Sequence, residues 1–192
     1  MSPARPTSVL TGAAYRLTPF TETEVEDRYL GWLNDPQVNQ FLEVRFVSQT
    51  RDSALAFVRS FAGPAEKYMW AIRPNGQDHA VGTTTLYDIN RNHGSAEIGL
   101  LVGDREHWGS GCSSEVLALV MRYAFDTIGL RRLTGGSYAR NWGMNFTYRR
   151  LGFTREGVMR QAYCLDGQTC VDGYRWGLLV DEWRQRRGAA GG

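Results

Sequence analysis

The stretch Trp108-Gly109-Ser110-Gly111-Cys112-Ser113-Ser114-Glu115 sets two glycines one residue apart, immediately before residues suited to open a helix. Glycine reaches positive φ and carries no Cβ, so an anion can approach the backbone closely. Ser113 or Ser114 can cap the helix, and its first N–H groups then converge at the positive end of the helix dipole. A diphosphate is the ligand such donors suit. A purely structural strand-to-helix turn needs the same glycines, so the turn alone leaves both readings open. Two common alternatives fall away. A dinucleotide fingerprint needs a third glycine where Ser114 stands, and a P-loop needs a lysine, which this turn lacks. Cys112 at a helix start suggests a second chemistry, a thiolate nucleophile, but no histidine is placed as its base. Cys112, Cys164 and Cys170 form no CxxC pair, and His79, His93 and His107 lack zinc-ligand spacing. We therefore expect neither a disulfide framework nor a metal site.

The turn must be positioned by the elements around it. Residues 14–17 are a strand candidate, and residues 22–33 place Val25, Tyr29, Leu30 and Leu33 at helical spacing before Asn34-Asp35-Pro36. A short helix at 36–41 leads into 42–46, an exposed loop or strand, and residues 49–61 form a helix stopped by Gly63-Pro64. From Tyr68 the period becomes two, giving strands at 68–72, 80–87 and 96–102 in an antiparallel meander. After the turn come a helix at 113–128, a strand at 133–138, a helix at 142–151 and a hairpin of 153–163 with 172–179 around Asp166-Gly167. The expected class is α+β (mixed α/β), a central mixed, mostly antiparallel sheet flanked by helices. Trp70, Trp142 and Trp176 read as core.

Bulk properties narrow the function. The 192 residues suffice for one domain at 13–187, between flexible ends at 1–12 and 188–192. With 22 basic and 20 acidic residues, the net charge of +2 gives no field to hold a nucleic acid. No apolar run approaches the ~20 residues of a membrane span, and residues 1–12 lack the apolar centre of a signal peptide. A cytoplasmic protein is expected. Arg184, Arg186 and Arg187 read as a solvated end.

The order meander, Gly-x-Gly turn, long helix, strand and second helix, closing on Leu151-Gly152-Phe153, resembles the GNAT superfamily of acetyltransferases across nearly the whole chain. The family's pyrophosphate loop, Gln/Arg-x-x-Gly-x-Gly/Ala, maps onto Glu106 to Gly111. Its Asn-x-x-Ser-x-x-x-Tyr-x-x-x-Gly-Phe motif maps onto Asn141, Met144, Tyr148, Gly152 and Phe153. Two departures stand out. Glu106 replaces Gln or Arg, with Arg105 adjacent, and Met144 replaces a serine that would contact CoA. The Trp108-Gly109-x-Gly111 form resembles the branch that includes ribosomal-protein N-terminal, polyamine, amino-sugar and aminoglycoside acetyltransferases.

The resemblance implies direct attack of a primary amine on acetyl-CoA, without a metal. Gly109, Ser110, Gly111, Cys112, Ser113 and Ser114 would hold the pyrophosphate, the backbones of Leu101 and Val102 the pantetheine arm, and Asn141 would contact the cofactor. Tyr148 would protonate the departing thiolate. An alkylammonium is neutral in only about one molecule per thousand at pH 7, so a base is useful. Glu97 is the candidate: its neighbours Ala96, Ile98 and Gly99 are apolar and would raise its pKa, although the strand register leaves a solvent-facing acid equally open. Glu43, Arg45, Asp88, Asp172 and Tyr174 are acceptor-side candidates. The expected acceptor is a small amino-sugar-like molecule, such as an aminoglycoside-type antibiotic or a nucleotide amino sugar. The alternatives are a protein N-terminus of ribosomal type, or a CoA-binding module without turnover. Homodimerisation through an exposed strand or the C-terminal hairpin is compatible with the sequence.

Overall fold

The computed structural model describes residues 9–62 and 66–190; the Gly63-Pro64 stop lies outside these. Eight strands form one sheet in the order β1-β2-β3-β4-β5-β6-β8-β7. They are β1 (Leu10–Thr11), β2 (Tyr15–Pro19), β3 (Tyr68–Pro74), β4 (Gly82–Asn90), β5 (Ser95–Val102), β6 (Arg132–Tyr138), β7 (Thr154–Cys164) and β8 (Cys170–Leu179). The helices are α1 (Asp27–Asn34), α2 (Pro36–Asn39), α3 (Arg51–Ser60), α4 (Cys112–Arg122), α5 (Trp142–Leu151) and α6 (Val180–Ala190). Every pairing is antiparallel except β5 with β6. The mixed, mostly antiparallel sheet and its helices follow the class read from the sequence.

Several boundaries differ for local reasons. The helix expected at 22–33 splits into a single 3-10 turn, Glu22–Glu24, and α1, because Val25 leaves helical geometry at ψ 72°. Segment 42–46 is a 3-10 turn over Glu43–Phe46. The helix expected at 113–128 starts at Cys112 and ends as a wider π turn over Tyr123–Thr127. Two elements lie where the sequence reads as flexible or solvated: β1, paired with β2, and α6. The latter is docked by Trp183 against Phe125, at 5.0 Å between rings, and by Arg187 on Asp126 at 3.1 Å.

Period-two alternation divides the sheet into two faces. Tyr68, Trp70 and Ile72 of β3, with Ala96 and Ile98 of β5, pack under α4 together with Tyr148, Trp176 and Trp183. Met69 and Ala71 pack on the opposite face with Tyr29, Trp32 and Leu33 of α1 and Ala54 and Val58 of α3. The sheet therefore has an α4–α5 face and an α1–α3 face. Its parallel join is brief: Ser95, Ala96 and Glu97 pair with Arg132, Leu133 and Thr134, and then β5 and β6 part. From Ile98 on, β5 has a strand on one side only, and a fork opens toward α4 and α5.

Candidate active site

The turn before α4 forms an anion cradle. Gly109 and Gly111 sit at φ 72° and 90°, the left-handed region that favours glycine, and no atom lies within 4 Å of where their Cβ atoms would stand. The serine cap expected from the sequence is absent: Gly111 itself is the N-cap, with no side-chain cap. Ser110 Oγ accepts the Cys112 N–H at 3.3 Å. Among the described residues, nothing accepts the N–H groups of Ser113 and Ser114, which belong to the orphan donors of a first helical turn. Ser110 is turned inward, donating to His107 C=O at 2.7 Å and meeting Tyr15 Oη at 3.2 Å, so its side chain braces the loop. Cys112 is buried and its thiol is pushed up to about 11 by that burial, which removes the thiolate nucleophile considered above.

A groove of about 590 Å³ runs from this cradle along β5 to α5, lined by Leu100, Leu101 and Val102 on one side and Asn141, Met144 and Thr147 on the other. The β5 edge facing it has lost its partner strand, so main-chain groups there are free for an extended amide chain. Trp108 Nε1 donates to Val102 C=O at 2.8 Å and pins the cradle to the strand end. Asn141 caps α5 by accepting the Met144 N–H at 3.0 Å, and the same residue lines the groove. Orphan donors, an open cradle and an unpaired strand edge fit a diphosphate ester with an extended arm, the shape of acetyl-CoA.

Other features of the groove differ from the sequence reading. Arg105, adjacent to the departed Gln/Arg position, turns away to Gln37 and Asp35. Positive charge comes instead from Arg140 and Arg150, which line the groove and were missed because Arg140 precedes the Asn141–Phe153 motif and Arg150 occupies one of its unspecified positions. Trp142, expected in the core, is 77% exposed, and Phe146 one turn later is 64% exposed; both sit on the groove rim. Trp70 and Trp176 are buried as expected.

At the apex of the fork, groups approach from both faces. Ala96 and Ile98 belong to the α4-side core, so Glu97 alternates to the α1–α3 face, which resolves the register. There Tyr87, its partner across β4 and β5, donates to Glu97 Oε1 at 3.0 Å, and Arg175 of β8 pairs with Oε2 at 3.2 Å. Glu97 thus has polar partners in place of the apolar setting read from its neighbours, and its side chain is 17% exposed. On the other face, Tyr148 is 1% exposed and stacks on Trp176 at 5.6 Å. Its hydroxyl lies against Gly135, the first β6 residue beyond the last β5–β6 pair, where a Cβ would collide with it. Gly136 similarly leaves room for Arg175 on the opposite face. Burial holds both the Tyr148 and Tyr87 phenols above their ordinary value, and the Glu97 charge adds to it, so both stay protonated at neutral pH. Tyr148 does not line the groove itself; it closes the fork from beneath.

A second cavity, about 440 Å³, lies on the α1–α3 face between β4, β5 and α3. It shares Leu42, Leu100 and Leu101 with the groove, so the two meet beside the fork. Tyr87 and Asp88 line it. Of the acceptor candidates, Glu43 also lines it, but its carboxylate accepts the Tyr138 hydroxyl at 2.5 Å. Arg45 points elsewhere, donating to Tyr138 Oη at 2.9 Å and Cys164 C=O at 2.6 Å. Asp172 and Tyr174 line neither space. Asp172 accepts the N–H of Gln161, a residue forced to φ 49° by a bulge in β7, and Tyr174 packs against Trp176 beneath Arg155. Tyr87 and Arg175 were missed by sequence reasoning because only the strand register brings them to Glu97.

Comparison with known proteins agrees with this geometry. The family described as the acetyltransferase (GNAT) domain matches residues 15–154. The uncharacterized N-acetyltransferase p20 of Bacillus licheniformis is 27% identical over 165 residues, covering 84% of this chain and 91% of that protein. The uncharacterized N-acetyltransferase YoaA of Bacillus subtilis (strain 168) is 27% identical over 148 residues, 76% of this chain and 82% of that one. The spermidine N-acetyltransferase of Vibrio cholerae, solved with CoA and spermine, shares the fold at a TM-score of 0.79 and 16% identity, over 90% of this chain and 99% of that one. The chain that carries this forked sheet, its glycine cradle and the Asn141–Phe153 motif belongs to the GNAT acetyltransferases.

Proposed function

We propose that the chain transfers an acetyl group from acetyl-CoA to a primary amine by direct attack. The observation that carries this reading is the meeting of groove and cavity at Leu100 and Leu101, beside a fork with a phenol on each face. Acetyl-CoA supplies an acyl carbon activated as a thioester. The cradle and the free β5 edge orient that substrate, and the amine enters from the α1–α3 face. The amine nitrogen hands a proton to Tyr87 Oη as the Tyr87 proton passes to Glu97, while Arg175 steadies the carboxylate. Tyr148, kept neutral by burial, returns a proton to the departing sulfur from the other face. Acid and base are thereby separated by the sheet, which prevents one from neutralising the other.

For the acceptor, the small amino-sugar-like amine read from the sequence would find hydroxyl partners in Thr83 and Thr85. A protein N-terminus of ribosomal type is the second reading, and a pure CoA binder the third. Release of CoA thiol from acetyl-CoA, followed with and without added amine, tests the proposal: amine-dependent release supports transfer. CoA-induced thermal stabilisation with no thiol from any amine would leave a binding module.

A further inference from the structure

Leu33, Val44, Phe57, Phe61, Met69 and Leu101 form an apolar wall in the cavity beside the fork. Phe57 and Phe61, four residues apart at the end of α3, stand edge to face with ring centroids 5.2 Å apart, and Phe57 is half-exposed at the cavity. Charge is sparse. Glu43 is committed to Tyr138, while Lys67 lies over the Phe61 ring at 4.9 Å and donates to Ser60 at 3.0 Å. Asp88, brought to the cavity rim at φ 50° by the β4 bulge, has no hydrogen bond or ion pair among the described residues. One free carboxylate therefore stands next to Tyr87 in a cavity that Phe57 and Phe61 also line.

Resting on the acetyl-transfer reading, we propose that the acceptor is a monoamine on a flat apolar body, an arylalkylamine, with its amino group at Tyr87 and Asp88 and its ring against Phe57 and Phe61. The cavity volume of about 440 Å³ falls within the range of small-molecule sites. A sugar could pair one edge with Thr83 and Thr85, but the hydroxyls that meet Leu33, Val44, Phe57, Phe61, Met69 and Leu101 would lose water against side chains that offer no hydrogen bond. A polyamine would bring a second ammonium toward Lys67 with a single free acid to balance it. An aromatic monoamine satisfies both walls: one cation for one carboxylate, and a ring for a ring pair.

The test compares 2-phenylethylamine, glucosamine and spermidine, first by thiol release from acetyl-CoA and then by calorimetric binding to the protein saturated with CoA. The expected result is a kcat/KM for 2-phenylethylamine at least about tenfold above the other two, as one well-placed apolar group confers, with the same order in binding. Phe57→Ser, at a half-exposed position, should raise KM for 2-phenylethylamine roughly tenfold and leave KM for acetyl-CoA unchanged. Equal or better use of glucosamine or spermidine, or an unmoved KM in Phe57→Ser, overturns the acceptor class. If no amine releases thiol, the transfer reading fails by itself. The binding order alone then decides the acceptor class: 2-phenylethylamine tightest upholds it, and any other order overturns it.

Discussion

Tyr87 and Glu97 face each other across β4 and β5, joined by a 3.0 Å hydrogen bond from phenol to carboxylate. Tyr87 lines the cavity beside the fork and Glu97 does not, so a proton leaving an amine held there would meet the phenol before the acid. Replacing Tyr87 by Phe keeps the ring and breaks this path. We expect kcat at pH 7 to fall on the order of a hundredfold, the usual share of general base catalysis. The deficit should narrow as pH approaches about 10.4, where the amine deprotonates unaided. A pH–rate profile of Tyr87→Phe parallel to that of the native protein would remove the relay.

The Tyr148 hydroxyl has no hydrogen-bond partner among the described residues, while its ring is held by Trp176 and Phe153. Tyr148→Phe should therefore leave thermal stability within a few degrees and KM for acetyl-CoA unchanged, yet lower kcat by about ten- to a hundredfold. Unchanged kcat would assign Tyr148 to packing alone.

Gly111 caps α4 at φ 90°. Gly111→Ala forces a Cβ into the left-handed region at a cost of about 1–2 kcal/mol. The cradle would shift to relieve it, and KM for acetyl-CoA should rise while KM for the amine does not. Titration of CoA into the variant, with affinity equal to that of the native protein, would place the phosphates elsewhere.

The buried Cys112 thiol is pushed from 9.0 up to about 11, so it remains a thiol across neutral and mildly alkaline pH. Iodoacetamide at pH 8 should label the exposed Cys170 and spare Cys112 in the folded protein. Peptide mapping that finds Cys112 alkylated first would contradict its burial at the start of α4.

Burial raises the Tyr29 phenol from 10.0 to about 12, and burial with the Glu43 carboxylate does the same for Tyr138. The unfolded chain loses these protons first. The stability they confer is complete below pH 10 and is lost as pH rises through about 12. Urea midpoints should fall across this window, and Tyr138→Phe should flatten part of the fall.

Much of the fold was legible. The change of period at Tyr68 marks the meander, and Gly129 and Gly152, both at positive φ, end helical segments where their residue type predicts. The fork was not legible, because no local pattern states where β6 leaves β5; Gly135-Gly136 is its only trace, and it makes sense only once Tyr148 and Arg175 are seen to fill the missing side chains' places. Asp172 was assigned to the acceptor on charge alone, whereas a bulge in the neighbouring strand claims it. Helix α6 escaped notice because its anchors, Trp183 on Phe125 and Arg187 on Asp126, are single side chains and form no apolar stripe.

The central claim is that the acetyl group passes directly from CoA to an amine across the fork. A single-turnover experiment with acetyl-CoA labelled in the acetyl carbonyl tests it most directly, with protein and small-molecule fractions separated and read by mass spectrometry. The account predicts label in the amide of the acceptor and none on the protein at any time. Label appearing first on a protein side chain, or in free acetate with the amine unmodified, would contradict it.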